Sequence, residues 1–413
     1  MLYVRRHLKI LGAALAALAC VGVGMASCSV EDGKLKIKLT PEEAKHVEGI
    51  NIDVEPPPTR GPAPIPPLPR WSTKDGKILR NGEPFQVRGI SWFGFETNDH
   101  QLHGLWTGGS SVEGFLDQIK VLGFNALRVP ISPEVLQYNT MSNPNWGTRG
   151  RARANLINLV NYAQNRDIAV LIDLHNTASY RGLIGKLDPP RYGQEQWLGS
   201  LKELAEWGLA HPNLMGIDLL NEPWDYTWQE WVTLAEEAGN AIHAINRDLL
   251  IFVEGVANKG VNTSTPYFWG ENLSEAGDWP VKLNLANRLV YSPHVYGPSV
   301  AHQSYFDAPN FPDNMDWIWQ AHWGYLATRC LEVPMLVCAA RPPVVTGEWG
   351  GRYVGKDRQW AEQLVRYMGA AGFDNFYWAL NPNSGDTGGI LKDDWRTVDE
   401  EKMKLVRRSW GWK

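Results

Sequence analysis

The sequence predicts a single (β/α)8 barrel of the TIM type over residues 71–413, and three observations support this fold class. The first is a set of eight short apolar runs, which are typical of strands buried on both faces. The second is the helical periodicity of the segments between most of these runs. The third is that neither a second linker nor an obvious repeat follows Trp71. Strand and helix alternating eight times within one domain indicate a barrel.

The eight strands are expected, in chain order, within PFQVRGISWF, FNALRVP, IAVLIDLH, LMGIDLLNE, LLIFVEG, RLVYSPHVY, PVVTGEWG and FDNFYWAL. Helical periodicity is clear in connecting segments such as SVEGFLDQIKVLG and TWQEWVTLAEEAGNAIHAIN. The aromatic-rich stretch from residue 297 to residue 342 is expected to form a large loop after the sixth strand.

The N-terminus has the pattern of an export signal. Arg5, Arg6 and Lys9 precede an apolar stretch that runs to Ala26. The small residues before Cys28 resemble a lipoprotein cleavage site, so we predict a signal peptide over residues 1–28 and lipidation of Cys28. Ordinary cleavage after Ala26 is the alternative. We therefore expect an outer-membrane or cell-surface lipoprotein, or otherwise a secreted protein.

Residues 29–70 are charged and then proline-rich, ending in EPPPTRGPAPIPPLPR. This composition predicts a disordered tether between the membrane attachment and the barrel. Two further cysteines, Cys330 and Cys338, lie within the barrel sequence. Export permits a disulfide between them, and two buried free thiols are the alternative.

The composition limits the possible partners. A net charge of −5 is not the positive charge that binding to nucleic acid requires, so we expect no nucleic-acid partner. We also expect a monomer. The 20 tryptophans favour a carbohydrate-binding cleft, because an indole and the axial face of a sugar ring are both flat and apolar. The alternative is a tryptophan-rich core.

Polar and titratable residues stand where the predicted strands end, which is where a TIM barrel carries its active site. In chain order these positions are Trp92, Arg128, His175, Asn221, Glu222, Glu254, His294, Tyr296, Glu348 and Trp378. Two glutamates among them, Glu222 and Glu348, provide the acid and the carboxylate that glycoside hydrolysis requires. The residues alone do not say which glutamate has which role. No HExxH motif or close histidine cluster occurs, so we predict no catalytic metal and no cofactor.

Eight blocks of sequence carry a resemblance to a known family: GISWFGFET, HGLW, LRVP, DLHN, DLLNEPW, YSPHVYG, GEWGG and WALNPNSGDTGGILKDDW. Over residues 71–413 the chain resembles the cellulase family, glycoside hydrolase family 5 of clan A, and especially bacterial and actinobacterial endo-β-1,4-glucanases. The resemblance implies a retaining double displacement with Glu222 as acid/base and Glu348 as nucleophile.

The same resemblance implies supporting roles. Arg128 and Tyr296 would hold the nucleophile ionised, Asn221 would bind the sugar 2-hydroxyl, and His175 and His294 would line the cleft. Three tryptophans would bind the glucan: Trp378 under the cleaved sugar, Trp92 one unit towards the non-reducing end, and Trp269 on the leaving-group side.

Other functions stay open at this point. The same machinery serves β-mannanases and mixed-linkage β-glucanases, although the SGDTGGILKDDW match favours glucan. A non-catalytic glycan-binding barrel is a more distant alternative. The chain has no GxSxG motif, which argues against an esterase.

Overall fold

The computed structural model describes residues 27–31, 34–38, 71–146, 149–179, 185–257, 266–327 and 341–412. The chain divides into two compact units, Met1–Pro66 and Pro67–Lys413. Residues 1–26 of the predicted signal peptide, the proline-rich part of the tether, and Cys330 and Cys338 lie outside the described residues.

The described part of the first unit is a two-stranded antiparallel sheet. Its strands are β1 (Ser27–Glu31), which contains Cys28, and β2 (Lys34–Lys38). The sequence predicts no regular structure over 29–70, so these strands are an addition to that expectation. The division into signal peptide and tether stays a prediction.

The second unit begins with a small antiparallel sheet at one end of a parallel barrel. The small sheet consists of β3 (Trp71–Lys74), β4 (Lys77–Arg80) and β5 (Glu83–Pro84). The barrel strands are β6 (Arg88–Ser91), β7 (Ala126–Ile131), β8 (Ala169–Leu174), β9 (Leu214–Asp218), β10 (Leu250–Val253), β11 (Leu289–Tyr291), β12 (His294–Tyr296), β13 (Val345–Gly350) and β14 (Asp374–Tyr377).

These nine segments form one ring of eight strands. They are hydrogen-bonded in the order β11-β10-β9-β8-β7-β6-β14-β13-β12, and every neighbouring pair is parallel. Strands β11 and β12 are the two halves of the sixth strand. Between them, Ser292 N donates to Val253 O at 2.9 Å and Gly347 N donates to Pro293 O at 2.9 Å, so the ladder continues on both sides. The predicted (β/α)8 barrel is confirmed.

Seven helices pack around the ring in the described part of the chain. They are α1 (Val112–Leu122), α2 (Ala152–Gln164), α3 (Gln194–Ala210), α4 (Trp228–Ile245), α5 (Met315–His322), α6 (Gly355–Ala371) and α7 (Glu400–Ser409). Helix α5 lies in the stretch where the sequence analysis expected only a loop. Its buried residues Met315, Ile318, Trp319 and His322 follow the helical spacing. None of the described helices is both long enough and apolar enough to cross a bilayer.

Apolar side chains fill the barrel interior at the end covered by the small sheet. Trp71 and Ile78 from that sheet pack with inward residues such as Leu171, Phe252 and Phe376. Phe376 lies so close to Gly89 that a Cβ there would be 2.1 Å from its ring, which explains the glycine. Because this end is closed by apolar packing, the polar groups are left at the carboxyl ends of the strands.

Many tryptophans belong to the core, as the alternative interpretation of the composition proposed. Nine of them are among the largest fully buried side chains: Trp71, Trp92, Trp197, Trp228, Trp231, Trp319, Trp323, Trp349 and Trp360.

Candidate active site

A cleft of about 580 Å³ opens at the carboxyl ends of the barrel strands. Seven of the residues predicted for the site line it: His175, Asn221, Glu222, Trp269, Tyr296, Glu348 and Trp378. The loop 383–386, within the NPNSGDTGG segment that the turn-rich sequence predicts at the cleft floor, lines it as well, whereas the lining residues Phe93, Tyr267, Phe268 and Gln303 were not predicted. The barrel therefore brings together residues that are far apart in the chain.

The two predicted glutamates face each other across this cleft. Glu348 lies in β13 and pairs in register with His294 of β12. Glu222 follows β9, and its backbone has a left-handed φ of 48°, with its N–H donating to Glu254 Oε2 at 2.7 Å. One carboxylate oxygen of each glutamate and a ring nitrogen of His294 all lie within 4.8 Å of one another. Retaining glycosidases have their carboxyl groups about 5–5.5 Å apart, whereas inverting enzymes leave about 6.5–9.5 Å for a water molecule.

Glu348 is surrounded by groups that favour its ionised form. Arg128 Nη1 donates to Glu348 Oε1, and Tyr296 Oη donates to Oε2 at 2.5 Å. Burial by itself would raise the pKa of Glu348. The positive charges of His294, Arg128 and His175, together with the Tyr296 hydrogen bond, outweigh burial and lower this pKa. The surroundings of Glu348 therefore favour its ionised form.

Glu222 has the opposite tendency. Burial raises the pKa of Glu222, and the negative charge of Glu348 adds to the rise. His294 Nδ1 lies 3.1 Å from Glu222 Oε1 and opposes the shift without cancelling it. One carboxyl of the pair thus tends to hold a proton while the other is charged, as acid-assisted cleavage of a glycoside requires.

Arg128 is the centre of the charge network beneath the pair. Its guanidinium is fully buried, and Nη2 lies 3.0 Å from Asp173, 3.2 Å from Asp218 and 3.2 Å from Glu254. Nη2 also donates to Asn221 Oδ1 at 3.0 Å. One cation therefore links the ends of strands β7, β8, β9, β10 and β13. The sequence analysis noted Glu254 only as a strand end and did not identify the two aspartates.

A stack of parallel rings forms one wall of the cleft. Trp378 is parallel to His175, with centroids 5.6 Å apart, and parallel to Phe93, with centroids 5.4 Å apart. Trp378 Nε1 donates to Ser384 Oγ at 3.2 Å, which ties the ring to the loop that follows β14. His175 Nδ1 is 2.6 Å from Asp173 Oδ2. Burial opposes protonation of His175, but the charge and hydrogen bond of Asp173, together with the charges of Glu348 and Glu96, outweigh burial and raise the pKa of His175 to about 9.

The prediction that Trp92 stacks on a sugar is wrong. Trp92 is 0% exposed, its Nε1 donates to His103 O at 2.9 Å, and its ring contacts Phe115 of α1. Side chains alternate between the two sides of an extended chain. Trp92 therefore points to the helices, and the next residue, Phe93, lines the cleft. Trp269 is 42% exposed and does line the cleft.

Among the residues that the structure describes, three sets of side chains have atoms close enough to hold a metal ion: Asp173 with His175 and Glu348, Asp218 with Glu254 and His294, and Glu222 with His294 and Glu348. Arg128 already pairs with both acids of the second set and with both acids of the first. His294 lies between the two glutamates of the third. These cations compensate the negative charge that would attract a metal, and the absence of a catalytic metal stays a prediction.

Comparison with known proteins places this geometry in context. The family model described as Cellulase (glycosyl hydrolase family 5) matches residues 79–384. An endoglucanase of Paenibacillus polymyxa is 36% identical over 82% of this chain and 86% of its own length. The major extracellular endoglucanase of Xanthomonas campestris pv. campestris is 37% identical over 80% of this chain and 69% of its own length.

Solved structures agree in fold over most of the chain. The catalytic domain of the Xanthomonas endoglucanase has a TM-score of 0.75 at 35% identity, covering 83% of this chain and 99% of that chain. An endocellulase from Pyrococcus horikoshii, studied in complex with cellotetraose, has a TM-score of 0.75 at 34% identity, covering 84% of this chain and 99% of that chain.

Proposed function

Because the chain belongs to the cellulase family, glycosyl hydrolase family 5, we propose that it is an endo-β-1,4-glucanase that hydrolyses internal β-1,4-glucosidic bonds with retention of configuration. The observation that carries this proposal is the Glu222–Glu348 pair. Its oxygens approach within 4.8 Å in an open cleft, and the two carboxyls have opposite pKa tendencies. An approach of this size is nearer to the separation of about 5–5.5 Å in retaining enzymes than to the separation of about 6.5–9.5 Å in inverting enzymes.

In the first step the ionised Glu348 attacks the anomeric carbon while Glu222 donates its proton to the leaving oxygen. This step forms a covalent glycosyl-enzyme. In the second step Glu222, now a carboxylate, takes a proton from water, and the water attacks the anomeric carbon and releases Glu348. Burial is the main cause of the raised pKa of Glu222 and the charge of Glu348 adds to it; the ester neutralises Glu348, so this added contribution disappears when Glu222 has to act as a base.

The neighbouring groups support these two roles. Arg128 and Tyr296 keep Glu348 ionised through the hydrogen bonds described above. Asn221 Oδ1 is occupied by Arg128, so the amide nitrogen is the group left to donate to the sugar 2-hydroxyl. His294 contacts both glutamates, and His175 supports the face of Trp378.

Aromatic residues give the cleft its preference for a flat polymer. Trp378 is the platform for the cleaved sugar, and Trp269 is the platform on the leaving-group side. Both rings line the cleft, and a pyranose buries an apolar face when it stacks on indole. The cellotetraose complex of the Pyrococcus endocellulase supports a glucan of this linkage as the ligand class.

The substrate is tested by reducing-sugar release from carboxymethylcellulose, barley β-glucan and mannan, with the wild type beside Glu348→Gln. We expect release from the first two by the wild type and almost none by the variant. Release from mannan alone would identify a β-mannanase. Release from barley β-glucan alone would identify a mixed-linkage glucanase, and no release from any substrate would indicate a non-catalytic glycan-binding barrel.

We also propose that the protein is exported and anchored by a lipid on Cys28, with residues 29–70 as a tether. The basic N-terminus, the apolar stretch and the small residues before Cys28 support this, and one relative is an extracellular endoglucanase. The Cys28→Ala variant should leave the membrane fraction and appear in the soluble fraction. A wild-type protein that is already soluble after export would refute the anchor.

A further inference from the structure

Two exposed tryptophans stand on neighbouring loops at the mouth of the barrel. Trp224 is 41% exposed and follows β9, whereas Trp269 is 42% exposed and follows β10. The two loops are joined through their backbones. Ala257 N donates to Pro223 O at 3.0 Å, next to Trp224, and Val256 forms a bridge with Asn272 close to Trp269. Trp269 is already assigned to the leaving-group side, but nothing in the mechanism uses Trp224.

Trp224 is held in place although its ring is exposed. Its backbone N–H donates to Gly185 O at 2.9 Å. The Nζ of Lys186, the next residue, lies 5.5 Å from the centroid of the indole and is paired with Asp225. A cation over an indole face is attracted by the ring. One face of Trp224 therefore has a fixed polar partner.

The backbone around Trp224 supports a functional role. Glu222, two residues before it, has φ 48°, and Asp225, directly after it, has φ 61°. Left-handed conformations at residues other than glycine cost free energy and cluster at functional sites, where the surrounding structure maintains them. The chain leaves the acid/base residue, turns, and places the indole on the rim.

The barrel order gives the direction of the cleft. Phe93 and Trp378 follow β6 and β14, which are neighbours in the ring. On one side of this pair, strands β7 and β8 lie between β6 and β9. On the other side, β13 and the sixth strand (β11 and β12) lie between β14 and β10. The loops with Trp224 and Trp269 are thus opposite the wall that contacts the cleaved sugar. Since Glu222 protonates the leaving oxygen, the rim beyond it faces the leaving part of the chain.

We propose that Trp224 is a binding residue for the leaving-group side of the glucan chain, stacking on a glucose unit beyond the one that Trp269 contacts. This inference rests on the proposed function. The ligand is a β-linked glucan segment, because Trp224 lies on the loop that follows the acid/base residue and offers a flat apolar ring beside polar Lys186 and Asp225. Trp224 would act on the binding of longer substrates and of acceptor sugars, and would take no part in the chemistry.

The test compares two substrates in one protein preparation. In β-cellobiosyl fluoride the leaving group carries no sugar, whereas cellotetraose places glucose units on the leaving-group side. In Trp224→Ala the kcat/KM for cellotetraose, divided by that for the fluoride, should fall about three- to tenfold, the size of one lost aromatic contact. Because the measurement is a ratio, it does not depend on the fraction of active protein. The Trp224→Tyr variant should recover most of the loss.

Trp317→Ala is the matched control, because Trp317 is a 55% exposed tryptophan on helix α5. It should keep the wild-type ratio. A wild-type ratio in Trp224→Ala would overturn the inference while leaving the proposed function intact. A wild type that hydrolyses neither substrate would overturn the proposed function itself, so the two failures are distinguishable.

Discussion

Replacing Tyr296 by phenylalanine removes one oxygen from the site, the phenol that donates to Glu348 Oε2 at 2.5 Å. A hydrogen bond to a charged group contributes about 1.5–3 kcal/mol, and about 1.36 kcal/mol corresponds to one pKa unit. The bond favours the ionised carboxylate, so its loss raises the pKa of Glu348. Arg128 and His294 remain in place. We therefore expect the low end of the range, a rise of about one unit.

The nucleophile must be ionised, so the acid limb of the pH profile of kcat/KM should move up by the same amount, about one pH unit. The assay is the initial rate on a soluble cello-oligosaccharide across acid and neutral pH. Tyr192→Phe is the control, since the Tyr192 phenol is buried and donates to Ser200 at 2.9 Å. A Tyr296→Phe profile that is lower in rate but unshifted in pH would refute the claim that Tyr296 maintains the charge on Glu348.

Three further outcomes are expected. Burial raises the pKa of Asp374 to about 7, whereas an aspartate in the unfolded chain ionises near 3.9. The stability that the folded protein has with Asp374 neutral is therefore lost as pH rises from about 4 to about 7. The Asp374→Asn variant keeps an oxygen that accepts from the Val87 N–H. In urea titrations it should raise the free energy of unfolding by about 1–2 kcal/mol at about pH 8 and by much less at about pH 4. An equal change at both pH values would contradict this expectation. The Lys402→Met variant lacks the ammonium group that donates to the backbone carbonyls of Thr387 (2.8 Å) and Gly389 (3.4 Å), in the loop that follows β14. The variant should have a free energy of unfolding about 1–3 kcal/mol lower by calorimetry, and a higher KM. A variant with wild-type stability and KM would show that the loop does not depend on this lysine. Excess EDTA should leave activity unchanged, and a loss restored by a divalent cation would show that a metal is required.

The fold and the position of the two facing glutamates were predictable because both rest on strong local signals. A parallel barrel has strands buried on both faces, so its strands are continuous apolar runs that few other segments imitate. The residues that end those runs then meet at one rim, whatever the path of the connections. This is why the sequence alone predicts that Glu222, Glu348 and Arg128 lie together at that rim.

Trp92 and Phe93 show where such reasoning fails. Trp92 and Phe93 are adjacent aromatic residues that point to opposite sides, since Trp92 packs on helix α1 and Phe93 lines the cleft. Period-two alternation therefore does not distinguish the core side from the cleft side, and a shift of one residue reverses the assignment.

Asp173, Asp218 and helix α5 were missed for different reasons. An aspartate near a strand end is common, and only the convergence of several carboxylates on Arg128 makes these two significant. Helix α5 has eight residues in an aromatic-rich segment, too short for its periodicity to stand out. Tyr267 and Gln303 depend on the paths of long loops, which no local pattern determines.

Covalent trapping can identify the residue that attacks the anomeric carbon, which we expect to be Glu348 acting as the nucleophile of a retaining β-glucanase. A 2-deoxy-2-fluoro-β-cellobioside with a good leaving group slows breakdown of the glycosyl-enzyme, so the intermediate accumulates. Peptide mass spectrometry should find one fluorocellobiosyl adduct, attached to Glu348. An adduct on Glu222 or on any other residue would show that Glu348 is not the nucleophile.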